Sequence, residues 1–456
     1  MNAINRYFGI AESGSSVRRE VVGGLTTFAT MSYIVFVQPT VLAFAGMDFG
    51  SVLLATCLSA GLASILMGVL AKYPFALAPG MGENFLFAFA VCGPVAMRGM
   101  GFSWQAGLTI VLIAGLLFVV LSIFRTREKV LEVLPPCLTH SIGPAIGLFI
   151  GFIGLQWGGI ITSSPTTMVH LGSFHTGPAL MTVFGVFLIA VLHARGIKGS
   201  ILIGILATCA IGLATGVIPW NAEPVNLNFS TFFQLNASEL LEHWDKALLA
   251  IALFFFLDLF DTVGTLVGVS SQAGFLKEDG TLPRAGRAFL SDALGSCAGA
   301  LFGTSTVTSY IESASGVAAG ARTGLAAVVT GLCFIVAIAL APIIRLAGQD
   351  VGAAFAGVGP TDLHVSMYPA VAPALVFVGF LMMAPLRKVK WDDITESLPA
   401  FLTIAIMVFG YGITEGIAAG CVSFAHIKLV SGRGREVHPI MYAVALAFIV
   451  RYAFLV

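Results

Sequence analysis

The chain has 456 residues, of which 57% are hydrophobic and only 10% charged. A soluble domain carries about 25% charged residues, so this composition specifies a polytopic membrane protein. The formal net charge is zero, which excludes the basic field that nucleic-acid binding requires.

Residues 1–20 are polar, with Arg6, Arg18 and Arg19, and lack the apolar core and cleavage site of a signal peptide. Apolar runs follow at 21–45, 51–71, 74–95, 104–124, 134–157, 178–194 and 199–218. A long connection, 219–246, carries Trp220, Trp244 and polar residues. The second set lies at 247–270, 286–302, 304–320, 323–344 and 369–385, then a Gly-punctuated region at 398–430 and a last run at 438–456. Each is near the ~20 residues that a span needs, although several are short or interrupted.

Lys and Arg cluster before the first run, at RTREK (125–129), at Arg195 and Lys198, at Lys277, Arg284 and Arg287, at RKVK (387–390), and at Lys428, Arg433 and Arg435. Segments 158–177 and 221–245 contain neither residue. The positive-inside rule therefore makes the N-terminus and the basic loops cytoplasmic and 219–246 extracytoplasmic. Seven spans then end outside and the next begins outside, the signature of two inverted seven-span repeats. On loop charge, 398–430 reads as a hairpin of two short helices turning near Gly410–Gly412, which leaves 438–456 as an extra span or interfacial helix. The alternative is one bent element at 398–430, with 438–456 as the fourteenth span.

Two segments do not read as plain helices. KYPFALAPGMGENF (72–85) places two prolines and two glycines where a span should begin, and GTSTVTSYIESASG (303–316) is rich in Ser and Thr. They are the third elements of their halves, and matched interruptions of this kind point to a transporter's binding site. Each is expected to hold a short extended piece and a half-helix, the two meeting near the midplane with free N–H groups toward a ligand.

Acids in apolar surroundings are the second signal. Asp258 and Asp261 lie near the middle of AIALFFFLDLFDTVGTLVG (250–268), where an aspartate costs roughly 2.5–3.5 kcal/mol on insertion scales. Three residues apart, they share one helical face, and Thr262 and Thr265 extend it. Two desolvated carboxylates on one face do not both ionise easily, as a proton-coupled carrier requires. Either could instead hydrogen-bond the backbone of a broken helix. Glu312 sits among small and hydroxyl residues that leave room for a ligand. Asp292 could be a packing hydrogen bond or a coupling site. Asn84 could orient a ligand or cap a half-helix, and Glu83 could face the ligand or outward.

Cofactor signals are missing. The seven cysteines stand singly and the eight histidines show no metal spacing. GMGEN (80–84) lacks both the full dinucleotide spacing and a βαβ context, and there is no P-loop. Phe85, Phe254, Phe255, Phe256 and Phe260 read as lipid-facing or core, with one or two able to sandwich a flat ring. Carboxylates, hydroxyls, backbone N–H groups and aromatics together suit a small planar heterocycle. This is compatible with nucleobases without selecting one.

GLTTFATMSYIVFVQP (24–39), ALAPGMGENFLF (76–87), FFFLDLFDTVGTLVGV (254–269), the stretch 289–331 with SYIESASGV, and WDDITESLPAFLTI (391–404) closely resemble the AzgA-like purine permeases. These form a branch of the nucleobase–cation symporters that include uracil and xanthine permeases. The resemblance covers nearly the whole chain. It implies an all-α membrane protein of fourteen segments in two inverted seven-span repeats, with short strands in segments 3 and 10. It further implies a core domain (21–124 and 247–344) and a gate domain (134–218 and 369–456). By motif, Asp261 and Glu312 would bind the base, with Asp258, Asn84 and Thr265 beside them. Asp292 would couple the cation, with Asp258 and Glu312 sharing the proton. Three residues depart from the family pattern: Glu83 stands for an apolar residue, Phe85 for a smaller one, and Gln38 for a more usual Asn. The implied activity is symport of hypoxanthine, guanine or adenine with a proton, or with sodium in its place, across the cytoplasmic membrane. No cofactor is implied, and a homodimer is common in the family. The alternatives are a uracil or xanthine carrier, a same-fold anion transporter, which would want positive or neutral donors at its site, and an intramembrane aspartyl enzyme. The enzyme would need Asp292 or Glu312 as its second acid, and its GxGD setting does not occur.

Overall fold

A span that is apolar on every side has no amphipathic stripe to orient it, so its packing must come from shape. The computed structural model describes residues 3–95, 99–124, 135–164, 166–220, 224–276, 282–352 and 366–454. The RTREK cluster, Lys277 and the side chain of Phe260 lie outside the described residues. Among these residues, eight helices are long and apolar enough to cross a membrane, and four further apolar helices are shorter.

After α1 (Ala3–Phe8), the first apolar run is two helices, α2 (Val17–Met31) and α3 (Ile34–Ala43), separated by a turn at Ser32 and Tyr33. Ser16 caps α2 by accepting from the Arg19 N–H, and Asp48 caps α4 (Phe49–Leu66) by accepting from Ser51 N–H. The helix runs on to Ala71 and stops at Lys72, whose φ is 58°. The chain then forms β1 (Leu77–Pro79) and the half-helix α5 (Met81–Phe85), which continues as a wider turn to Val91. Next come α6 (Trp104–Phe124), α7 (Pro136–Trp157), a hairpin of β2 (Ile161–Ser164) and β3 (Met168–Leu171), α8 (Gly177–Ala194) and α9 (Ser200–Thr215).

The second half repeats the plan. The short α10 (Ser238–Glu242) leads into α11 (Trp244–Ala273) and α12 (Ala285–Phe302), which ends at Gly303 with φ 93°. There follow β4 (Val307–Ser309), α13 (Ser313–Ala318), α14 (Gly324–Ala337), α15 (Ala341–Ala347) and α16 (Ala372–Leu381). The 398–430 region is a hairpin, α17 (Ile394–Phe409) and α18 (Ile413–Val430), turning at Gly410–Gly412. It completes fourteen segments, and α19 (Pro439–Phe454) packs on α18 as an additional helix.

Helices sort into two packed groups. In one, α4 lies against α3, α12 and α14, while α6 packs on α11 and α12, and α2 on α13 and α14. In the other, α7 lies against α16 and α17, α17 against α18, and α8 against α9 and α16. Each group has a crossing that only glycine permits. A Cβ on Gly324 would stand 1.9 Å from the Gly68 carbonyl oxygen, and one on Gly379 2.3 Å from that of Gly147. Backbones this close gain dispersion contacts that lipid cannot offer.

The 219–246 connection is tied to the helix ends. Phe233 N–H donates to the Leu301 carbonyl at 2.7 Å, Ser51 Oγ to the Asn228 carbonyl at 2.8 Å, and Ser103 N–H to Glu239 Oε1 at 2.8 Å. These bonds pin the link across α4, α6 and α12.

Candidate functional site

The two interrupted segments meet. β1 and β4 pair antiparallel, with Leu77 opposite Ser309, Ala78 opposite Thr308 and Pro79 opposite Val307. Gly80 N–H to Thr306 O and Tyr310 N–H to Ala76 O, both 3.0 Å, extend the ladder. A two-stranded ribbon leaves two open edges, which apolar surroundings do not tolerate. Side chains close them. Ser64 of α4 accepts from Leu77 N–H at 2.9 Å and lies 3.0 Å from the Leu77 carbonyl; its one hydroxyl proton serves the latter. Ser313 Oγ accepts from Ala76 N–H at 3.0 Å, and Ser296 Oγ donates to the Val307 carbonyl at 2.8 Å.

Beside the ribbon lies a cavity of about 1550 Å³ between the two helix groups. One wall carries Asp261 and Thr265 of α11, Glu312 and Tyr310 beyond β4, Tyr33 from the α2–α3 turn, and Glu83 of α5. The facing wall is largely apolar, with Ile142 and Ile146 of α7, Val378 of α16 and Cys421 of α18. The lining also includes His140, His193 and Lys388, so the cavity combines polar groups with apolar side chains, as small-molecule sites do.

Asp261 is open to this cavity, and Thr265, one turn on, lines it as well. Glu312 is half-buried and accepts from the Tyr33 hydroxyl at 2.8 Å. The break in the first span is what delivers that hydroxyl. Asp258 is about 60° round the helix from Asp261 and does not line the cavity. It is buried against α12, where its Oδ2 lies 3.2 Å from Ser296 Oγ. The two acids therefore have separate surroundings.

Asp292 is fully buried behind the ribbon. Its Oδ2 accepts from Thr262 Oγ1 at 2.7 Å and its Oδ1 from Ser309 Oγ at 2.8 Å. Thr262 is also 3.0 Å from Thr308 Oγ1. Two hydroxyls, Thr308 and Thr262, thus lead to the enclosed acid Asp292. Among the described residues no group of three His, Cys, Asp or Glu could hold a metal ion.

Asn84 is fully buried one residue past Glu83 and does not line the cavity. Its Oδ1 accepts from Ser305 Oγ, and Gln38 Nε2 donates to Thr304 Oγ1 at 2.8 Å and Ser305 Oγ at 3.1 Å. Asn84 thus braces the 304–305 stretch, while Gly80 stands at the head of α5. Glu83 points inward, 1% exposed. Tyr33, Tyr310, Ser296 and Ser309 belong to the constellation but carry no sequence signal, because their partners are remote in the chain.

The pattern of the permease family matches residues 18–419. The guanine/hypoxanthine permease PbuG of Bacillus subtilis is 42% identical over 463 aligned positions, covering 98% of this chain and 99% of its own. The adenine permease AdeP of Escherichia coli is 40% identical, covering 99% and 96%. Among solved structures, the transmembrane domain of the cyanobacterial bicarbonate transporter BicA superposes with a TM-score of 0.62 at 14% identity, over 89% of this chain and 97% of that one. That likeness is one of fold. The chain is a multi-pass membrane protein and not an enzyme, and it belongs to the permease family of xanthine and uracil carriers.

Proposed function

We propose that this chain carries a purine nucleobase, guanine, hypoxanthine or adenine, across the cytoplasmic membrane in symport with protons. The observation that carries the reading is the cavity with Asp261 and Glu312 on one wall and apolar side chains on the other. A planar base presents N–H donors in its plane and apolar faces above and below, which matches that division. Relatives similar over nearly their full length are named for these bases. In this reading Asp261, Glu312 and Thr265 hold the base, Asp258 tunes Asp261, and Asn84 holds the ribbon's approach. Asp292 takes part in coupling. The hydroxyls of Thr308 and Thr262 that lead to it support this, because hydroxyls both accept and donate a proton. Protonation of the acid cluster and base binding favour each other, so the two move together.

The α2–α6 and α11–α14 group is the core domain and the α7–α9 and α16–α18 group the gate. The core carries the base past the gate in an elevator-like or rocking motion. The N-terminus is cytoplasmic, and the functional unit is a homodimer.

The deciding experiment is uptake of labelled hypoxanthine by cells expressing the full chain, competed with unlabelled adenine, guanine, xanthine and uracil. Competition by uracil alone overturns the purine reading. Asp261→Asn and Glu312→Gln are each expected to reduce uptake by about thirtyfold or more, the loss of a hydrogen bond to a charged group, at unchanged amounts in the membrane. Undiminished uptake overturns the site. Uptake indifferent to a proton gradient overturns the coupling, and dependence on a sodium gradient replaces the cation.

A further inference from the structure

Glu83 stands on the first turn of α5, on the cavity wall, 1% exposed. Its two oxygens differ. Oε2 folds back over Gly80, so near that a Cβ there would stand 2.2 Å from it. The Gly80 N–H is itself donated to the Thr306 carbonyl at 3.0 Å, so this approach is not a capping bond to it. Oε1 has no hydrogen-bond partner among the described residues. The structure leaves this buried acceptor unexplained. No basic side chain pairs with it among the described residues, and no group of three acids, His or Cys there could hold a cation. The neighbouring acids on the wall, Asp261 and Glu312, are acceptors as well. What satisfies three carboxyl groups around one cavity is a ligand rich in N–H donors.

We propose that Glu83 is a third ligand-facing carboxyl group, and that it selects purines bearing an exocyclic amine over the same ring without one. The inference rests on the purine reading above. Guanine is hypoxanthine plus one amino group, and adenine is purine plus one. In each pair only the first member adds donors. A site built to hydrogen-bond an N–H rejects the analogue lacking it, because the buried acceptor is then left unpaired.

The test is competition against labelled purine uptake by the full-length protein, run with the pairs guanine against hypoxanthine and adenine against unsubstituted purine. The native protein is expected to bind the amine-bearing member about tenfold more tightly in both pairs, equivalent to about 1.4 kcal/mol. Glu83→Leu is expected to bring both preferences to within about threefold of unity. Equal inhibition by both members in the native protein, or an unchanged preference in Glu83→Leu, overturns the proposal and leaves Glu83 a structural residue. The native comparison needs no variant, so it decides even where Glu83→Leu fails to reach the membrane. Purine uptake without amine preference overturns only the role of Glu83. Absence of any purine uptake overturns the parent reading and this one with it.

Discussion

Thr262 has one hydroxyl proton and three oxygens near it: Asp292 at 2.7 Å, Thr308 at 3.0 Å and Asp258 at 3.5 Å. The shortest contact takes the proton, and Thr308 can then donate in turn. Valine has nearly the same shape and cannot relay anything. Thr262→Val is therefore expected to cut gradient-driven uptake about tenfold, while exchange of labelled for unlabelled base across the membrane persists; equal loss of both would make Thr262 a packing residue. Tyr33→Phe removes the hydroxyl held by Glu312, worth about 1.5–3 kcal/mol as a bond to a charged group. Its half-saturation concentration for uptake is expected to rise about tenfold or more. The acids were legible in the sequence because carboxylates in an apolar run are costly. Thr262 was legible as part of the same helical face, but its links and the other hydroxyl partners were not, since threonine and serine are ordinary in membrane helices. These partners lie 30 and 46 residues away for Thr262 and 279 away for Tyr33.

At the level of elements, proline and glycine announced the interruption at 72–85, serine and threonine that at 303–316, and β1 and β4 formed where both predicted extended pieces. The break at Ser32 and Tyr33 had no such mark, because neither glycine nor proline stands there. The β2–β3 hairpin was likewise missed, in a loop noted only for its lack of basic residues. Ser64 offers an element-scale test. Its hydroxyl serves the Leu77 N–H and C=O, and Ser64→Ala leaves both unpaired in the protein interior. The expected cost is about 1–3 kcal/mol per orphaned group, read as a lower unfolding midpoint in detergent. An unchanged midpoint would mean that the ribbon edge finds another partner. Gly324→Val brings side-chain atoms onto the Gly68 carbonyl and is expected to abolish folded protein, read as loss of a monodisperse peak on size exclusion.

For the molecule as a whole, the hairpin at 398–430 was legible from charge alone. What charge did not reveal is how the basic loops are used. Lys428, 1% exposed, reaches Glu436 at 2.8 Å and Glu396 at 3.6 Å, and Arg433 joins Glu436 to Asp393 at 2.8 and 2.7 Å. This network fastens α17 and α18 to the segment leading into α19. The Arg433 hydrogen bonds, helped by Lys428, pull Glu436 from 4.5 to about 2, and Arg433 holds Asp393 below the ordinary carboxylate range. Both groups are depressed, so the network is complete above about pH 4.5 and comes apart as pH falls toward 2. Amide exchange at the start of α19 is expected to speed up across that window, and Arg433→Gln to remove the dependence. A flat profile in the native protein would show that the helix is held by packing alone.

The ribbon also dictates a schedule. Tyr310 reaches back to the Pro79 carbonyl from 231 residues further along the chain. Contacts so distant in sequence form late, since the intervening chain must first be made and closed into a loop. The first half-span therefore waits in the bilayer with its strand unpaired until the second emerges. Ser64, made just before it, is the partner already at hand to keep Leu77 satisfied meanwhile. A chain truncated before residue 300 should accordingly be handed to membrane quality control rather than accumulate as a stable half.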